Sequence, residues 1–410
     1  MDLRDLYLRC CCRQDQTLLY GRPMISRRAS GCWVWFEGDD EPYLDLVCGY
    51  SATNLGHCPP RVAARLAELG GLCDQVHSVT SAPAVRLAER LCRLLAGPER
   101  YRVYYTVGGS GAVDAAVRVA RAYTGRPIVA SFAGSFHGFG LASLPLTDES
   151  YVAGQRVAPL PGARLALPFG DIDGCGRILR RRRRRVAAVI VEPVQGAAGF
   201  VLPPDRFLPA LGELCRRLGV LLIADDIQCG LGRTGDMLAC RQLGLDDPDV
   251  LLLGKSLAGG CWPLSAMVAR RELFESLPTS GSTLGDTFSH NAIGCGLALE
   301  VLDILEGTDV LANARRRGAE MLDFLRGLVG RPPVAAAWGL GAALAVRIAA
   351  PDPAATAARI VQAGLHHHVL LYATGPARDR LKFAPPLTIS ADETRQACRR
   401  VARAFDDALP

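Results

Sequence analysis

Three short runs, VAAVIV at 186–191, VLLIA at 220–224 and VLLLG at 250–254, are apolar almost throughout. A strand with one wet face alternates in polarity, so runs like these are expected as strands buried on both faces of a parallel sheet. Further candidate strands lie at 103–106, 127–132 and 264–269, with helical segments between them, among them 112–123 and 207–218. From about 51 to 305 strand and helix alternate, which predicts an α/β fold with a mainly parallel sheet. Ligands of such sheets bind at the carboxyl ends of the strands. The first 50 residues mix polar turns with strand-like pieces at 33–36 and 43–46. After Gly307 an Ala/Arg-rich helix, an apolar strand at 341–348 and two more helices read as α+β. With 410 residues, 49% of them hydrophobic, the chain can bury two cores. The expected division is a large domain, 51–305, and a smaller one built from both ends, 1–50 and 306–410.

No apolar run approaches the ~18 residues that cross a bilayer. The start, MDLRDLYLRCCC, carries acids and no apolar leader. A cytoplasmic protein with no membrane partner is therefore expected. The net charge of +6 resides in six consecutive arginines, Arg180 to Arg185, outside which acids and bases balance. A nucleic-acid surface spreads positive charge among aromatic residues. This run reads instead as a solvated helix end, and no nucleic-acid partner is expected. The fifteen cysteines include no C-x-x-C pair of the kind zinc sites use, and Cys10, Cys11 and Cys12 are adjacent. They suit a reducing compartment. His366, His367 and His368 read as a polar loop or strand edge, and no metal site is expected.

The chain has forty-five arginines but only two lysines, Lys255 and Lys382. Where arginine serves as the general cation, a lysine points to work that arginine cannot do. A lysine amine can lose its proton and form a Schiff base; a guanidinium cannot. Two glycine patterns nearby are decoys. GLGRTG at 230–235 fits a dinucleotide fingerprint, but acids precede it and no amphipathic helix opens there. Gly254-Lys255-Ser256 resembles the end of a phosphate-binding loop, yet Asp249 stands where its first glycine should be. Taken together the same residues make sense. Asp225 ends one candidate strand and Lys255 follows another, so both face one crevice. Thr106 to Gly111 is a glycine-rich turn before a helix, suited to holding a phosphate on backbone N–H groups. A Schiff-base lysine, a buried acid and a phosphate cup are what pyridoxal phosphate requires.

The residues resemble the class III aminotransferases, of the fold-type-I pyridoxal-phosphate enzymes. The resemblance runs through YSATNLGH at 50–57, 108–116, Phe136-His137-Gly138, EPVQG at 192–196, 224–235, 254–256, 287–291 and FAPPL at 383–387. It implies a Schiff base on Lys255, with Asp225 keeping the pyridine nitrogen protonated. Gln228 would meet the ring hydroxyl, while Ile227 and Phe136 would cover the two ring faces beside His137. Gly109 and Ser110 would hold the phosphate. Thr287 would reach the cofactor of a neighbouring subunit, which implies a homodimer. Tyr50 matches a tyrosine that contacts the far end of a diamino acid in the ornithine branch, and Asp226 is similar to the acid of the diaminobutyrate enzymes. Lys382 replaces an arginine that clamps a substrate carboxylate; it either changes that function or still binds carboxylate. Ala197 stands where the ornithine branch has a glutamate that masks the arginine. The implied reaction moves a terminal amino group of a diamino acid or amine to an oxo-acid or aldehyde, passing through pyridoxamine phosphate. The alternative is a decarboxylase, racemase or lyase on the same fold.

Overall fold

The computed structural model describes residues 3–11, 20–72, 80–151, 164–277 and 284–408. Near the amino end, β1 (Ser26–Ser30), β2 (Trp33–Phe36) and β3 (Tyr43–Asp45) form an antiparallel set. The central sheet uses β4 (Tyr101–Thr106), β5 (Ile128–Phe132), β6 (Leu165–Leu167), β7 (Val186–Val191), β8 (Leu221–Asp225), β9 (Val250–Leu253) and β10 (Ser265–Arg270). Its order is β4-β10-β9-β8-β7-β5-β6. β10 runs antiparallel to both neighbours while the others share one direction, so six strands end at the same edge. Towards the carboxyl end β11 (Val334–Leu340), β12 (Ala343–Ile348), β14 (Tyr372–Thr374) and β15 (Arg380–Phe383) form a third sheet, and β13 (Val369–Leu370) pairs with β3.

The apolar runs behave as expected of strands covered on both faces. Leu251 and Leu253 of β9 join one core cluster, while Val250 and Leu252 join another on the opposite face. Leu222 and Ala224 of β8 are likewise separated from Ile223. Each such fully buried Val, Leu or Ile stabilises the fold by roughly 1.5–3 kcal/mol. A further core gathers Leu44 and Leu46 from near the amino end with Leu325, Val346, Ile360, Phe383 and Val401 from the carboxyl third.

The sequence expectations differ from the structure at several places: β1, β6, β13, β14 and β15 are short strands with no expectation behind them, and three further differences have a clear physical reason. The first is the helix expected from Ala112, which begins at Gly109, because Gly108 and Gly109 open it directly at the strand's end. The second is β11, which was not anticipated: VAAAWGL is alanine-rich, and alanine has little strand preference outside its packing context. The third is His366, which closes the helix Pro353–His366 instead of sitting in a loop, since the buried face of that helix continues through Leu365. His367 then meets Asp407 at 2.7 Å. Arg180 to Arg185 are all exposed at and beyond the end of the helix Ile172–Arg182, as a solvated helix end should be. Cys12 lies outside the described residues. No described helix is long and apolar enough to cross a membrane, and no described group of three or more His, Cys, Asp or Glu side chains is placed to hold a metal.

Candidate active site

Everything expected at the strand ends converges on one cavity of about 180 Å³, lined by Gly109, Ser110, Phe136, His137, Gly138, Glu192, Asp225, Ile227, Gln228 and Lys255. Each group arrives from its own strand. β4 leads through Gly108 into the helix Gly109–Thr124, which has no side-chain cap, so its first amides are left to another acceptor. β5 leads to Phe136 and His137, β7 to Glu192, β8 to Asp225 and β9 through Gly254 to Lys255. Lys255 has a left-handed backbone at φ 49°, a costly geometry that cores tolerate mainly at functional positions.

Small residues shape the cavity floor. A Cβ on Gly138 would lie 2.2 Å from Ser110 Oγ, and one on Gly196 would lie 2.3 Å from Gln228 Oε1. Gly109 packs on Ile227, where an added Cβ would meet Cδ1 at 3.2 Å. Ser110 Oγ accepts from the Phe139 amide at 3.2 Å.

The polar groups are held in a connected set. His137 donates from Nδ1 to Asp225 Oδ2 at 2.7 Å, and Asp225 Oδ1 accepts from the Ile227 amide at 3.2 Å. Glu192 accepts from the amides of Phe136 (2.9 Å) and Gly196 (3.0 Å). Burial pushes the Glu192 carboxyl up to about 7, His137 pulls it down and Asp225 adds to the rise. Burial also pushes the Lys255 amine below its ordinary value, against the pull of Glu192. Asp226, next to Asp225, is fully buried away from the cavity and raised to about 7 by burial; it accepts from the Cys240 amide at 3.3 Å.

A second cavity of about 360 Å³ opens from the first, sharing Phe136, Gln228 and Lys255. Tyr50, Tyr151, Ala197, Tyr372, Thr374, Arg378 and Lys382 add to its walls. Lys382 is 2% exposed, with Nζ 3.5 Å from the Gly196 carbonyl. The rings of Tyr50, Tyr372 and Phe200 surround that nitrogen at 5.2, 5.2 and 5.3 Å. Burial, assisted by the charge of Lys255, lowers the Lys382 amine to about 7. Tyr50 and Tyr372 meet edge to face at 4.8 Å.

Ten of the expected site residues therefore line these two cavities. The eleventh, Thr287, does not. It is exposed beside Asp286, whose carboxylate accepts from the Val107 amide at 3.3 Å at the lip of the glycine turn. Glu192 was not singled out from the sequence as a site residue, although an acid directly after a fully apolar strand carries the same signal as Asp225. Tyr372 and Phe200 had no such signal, because only tertiary packing brings them to Lys382.

The first cavity fits pyridoxal phosphate on its own chemistry. Gln228 Nε2 is a buried donor with no partner among the described residues, suited to a ring hydroxyl. The uncapped helix start suits a phosphate, and the lysine suits an aldehyde carbon. Comparison with known proteins agrees. Residues 20–405 match the family described as aminotransferase class-III. The chain is 32% identical to a 4-aminobutyrate aminotransferase of Escherichia coli, over 94% of each chain. It is 34% identical to a 2-aminoadipate transaminase of Pseudomonas putida, over 92% of this chain and 94% of the other. An (S)-enantioselective omega-transaminase from Thermomicrobium roseum superposes with a TM-score of 0.90 at 28% identity, covering 100% of this chain and 98% of that one. The ornithine aminotransferase of Toxoplasma gondii does so with a TM-score of 0.88 at 28% identity, covering 98% and 94%. The chain belongs to the class-III aminotransferases, enzymes that depend on pyridoxal phosphate.

Proposed function

We propose that the enzyme takes a terminal, ω-type amino group from a diamino acid or amine and passes it to an oxo-acid or aldehyde acceptor. The observation that carries this reading is the enclosure of Lys382. An α-amino acid needs its carboxylate gripped beside the reacting amine, and a bidentate arginine does this best. Here the cation at that wall is a single ammonium wrapped by three rings and a carbonyl. A donor whose amine-bearing carbon has no carboxylate asks nothing of it.

When bound, pyridoxal phosphate supplies an electrophilic carbon and an electron-accepting ring. The residues do the rest. Asp225, oriented by His137, would face the ring nitrogen and keep its proton in place. Gln228 would donate to the ring hydroxyl, and Ile227 and Phe136 would flank the ring. Gly109 and Ser110 would hold the phosphate. Lys255, its amine kept easy to deprotonate by burial, would take and return the substrate's proton at Nζ. Tyr50 would meet the far end of the donor, and Lys382 lies beside it on the wall of the second cavity. Thr287 serves the cofactor of a second copy, so the working unit is a homodimer. The large domain spans 51–305, and 1–50 with 306–410 form the smaller one. The cysteine content and the lack of a described spanning helix support a cytoplasmic enzyme.

Product analysis tests the reaction type. Holoenzyme incubated with a terminal amine and a 2-oxo acid should yield the donor aldehyde and the aminated acceptor in equal amounts by mass spectrometry. Release of carbon dioxide, racemised donor or an elimination product without aminated acceptor would place the chain among the non-transaminating enzymes of this fold.

A further inference from the structure

The ring of Tyr50 is delivered by an unusual piece of backbone. Cys48, Gly49, Tyr50 and Ser51 have φ values of 49°, 52°, 58° and 71°, so Cys48–Ser51 is one turn of left-handed helix. Three of its four residues carry a side chain, which disfavours that hand at each step. Such a turn persists only where its surroundings over-determine it.

Asp45 supplies much of that constraint. It is buried at the end of β3, and its Oδ1 accepts from the amides of Val47 (2.7 Å) and Cys48 (3.0 Å), the two residues that enter the turn. Its other oxygen accepts from His57 Nε2 at 2.9 Å. The His57 backbone is pinned in turn, by exchanging hydrogen bonds with Gly31 at 2.7 and 2.9 Å. Gly56 lies so close to Gly31 that a Cβ would sit 2.8 Å from its carbonyl oxygen. On the far side of the turn, Asn54 donates to Ser256 Oγ at 3.0 Å, next to Lys255. The turn is thus strung between β3 and the lysine loop, with Tyr50 at its outer end.

We infer that Asp45 and His57 are a positioning pair for substrate selection: they hold the left-handed turn closed, and through it keep Tyr50 against Lys382 in the substrate cavity. This rests on the reading of that cavity given under the proposed function. Neither residue lines either cavity, so the pair acts through Tyr50 alone.

The test uses the holoenzyme and three donors of one length: an unsubstituted alkylamine, an amine ending in a carboxylate and a diamine. For His57→Ala, KM for the two charged-end donors should move about tenfold relative to the alkylamine. Its kcat with the alkylamine and the cofactor absorbance should stay unchanged. His57→Gln, whose amide can donate from the Nε2 position, should restore the parent ratios. Tyr50→Ala should reproduce the shift, and the double variant His57→Ala/Tyr50→Ala should go no further than Tyr50→Ala. If His57→Ala yields no holoenzyme, the pair His57→Gln and His57→Asn carries the test: the longer amide should match the parent and the shorter should shift. Equal losses for all donors, additivity in the double variant or failure of the glutamine to restore the ratios would overturn the inference. If Tyr50→Ala shifts the ratios and the His57 variants do not, the pair is excluded while the cavity reading stands. If neither shifts them, the cavity reading falls and the inference with it.

Discussion

The two cavities meet at Lys255 but are built in opposite ways. The cofactor cavity takes its groups from strand ends and the turns directly after them, and the sheet itself sets their spacing. The substrate cavity takes Tyr50 from a strained turn near the amino end, Tyr151 from a short helical turn, and Tyr372 and Lys382 from the third sheet. One is dictated by a frame that must form for the chain to fold at all. The other depends on how separate elements are tied down afterwards. On the proposed reading, chemistry is fixed where the fold is strongest, and selectivity is left to ties that single residues can change.

Substitutions on the two sides should separate cleanly. Lys255→Ala should lower single-turnover transfer by about 10⁴-fold or more, the upper end of what a positioned proton carrier contributes, with the fold retained by circular dichroism. Asp225→Asn removes the charge that His137 and its surroundings are arranged around. Breaking a buried pair of this kind costs about 3–5 kcal/mol, or roughly 10²–10⁴-fold, to be read in cofactor affinity and turnover for every donor alike. An effect confined to some donors would blur the distinction between the cavities.

On the substrate side the expected effects are smaller and depend on the donor. Lys382 is lowered to about 7, so it is charged below that pH and neutral above it. KM for a donor ending in a carboxylate should therefore rise as pH climbs from 6 to 8.5, by up to about tenfold per unit, while a diamine should bind better over the same range. Lys382→Arg, always charged, should flatten both profiles and favour carboxylate-bearing partners. A profile equally steep in Lys382→Arg would assign it to another group; Glu192, raised to about 7, is the next to examine. The smallest effect belongs to the arginine run. Replacing Arg181 and Arg183 with serine should change stability by no more than about 0.5 kcal/mol in urea unfolding, and leave turnover alone.

The contrast also explains what could be read from sequence. Val186–Val191 is legible because a strand covered on both faces needs no alternation, and Asp225 and Lys255 are legible because the carboxyl ends of such strands are where the crevice opens, although Asp226 next to Asp225 turns away from it. The scarcity of lysine made Lys255 stand out further. Glu192 carried the same local signal. Lys382 was visible as an oddity, but its enclosure was not: Tyr50, Phe200 and Tyr372 lie up to 332 residues from it in sequence, and ring contacts of this kind leave no periodic trace. Nor could the left-handed turn be foreseen, since only one of its four residues is a glycine. β11 was missed because packing on β12, and not alanine's own preference, makes it a strand.

A single-turnover absorbance titration of the yellow holoenzyme bears most directly on terminal-amine transfer. The donors would be ornithine, diaminobutyrate, simple diamines, β-alanine and ordinary α-amino acids. Bleaching to the pyridoxamine form by the terminal amines is the result expected, joined among simple α-amino acids only by one whose oxo acid serves as the acceptor, because that is the acceptor half-reaction run backwards. Absence of conversion by any terminal amine, or consumption of donor while the yellow form persists, would contradict it.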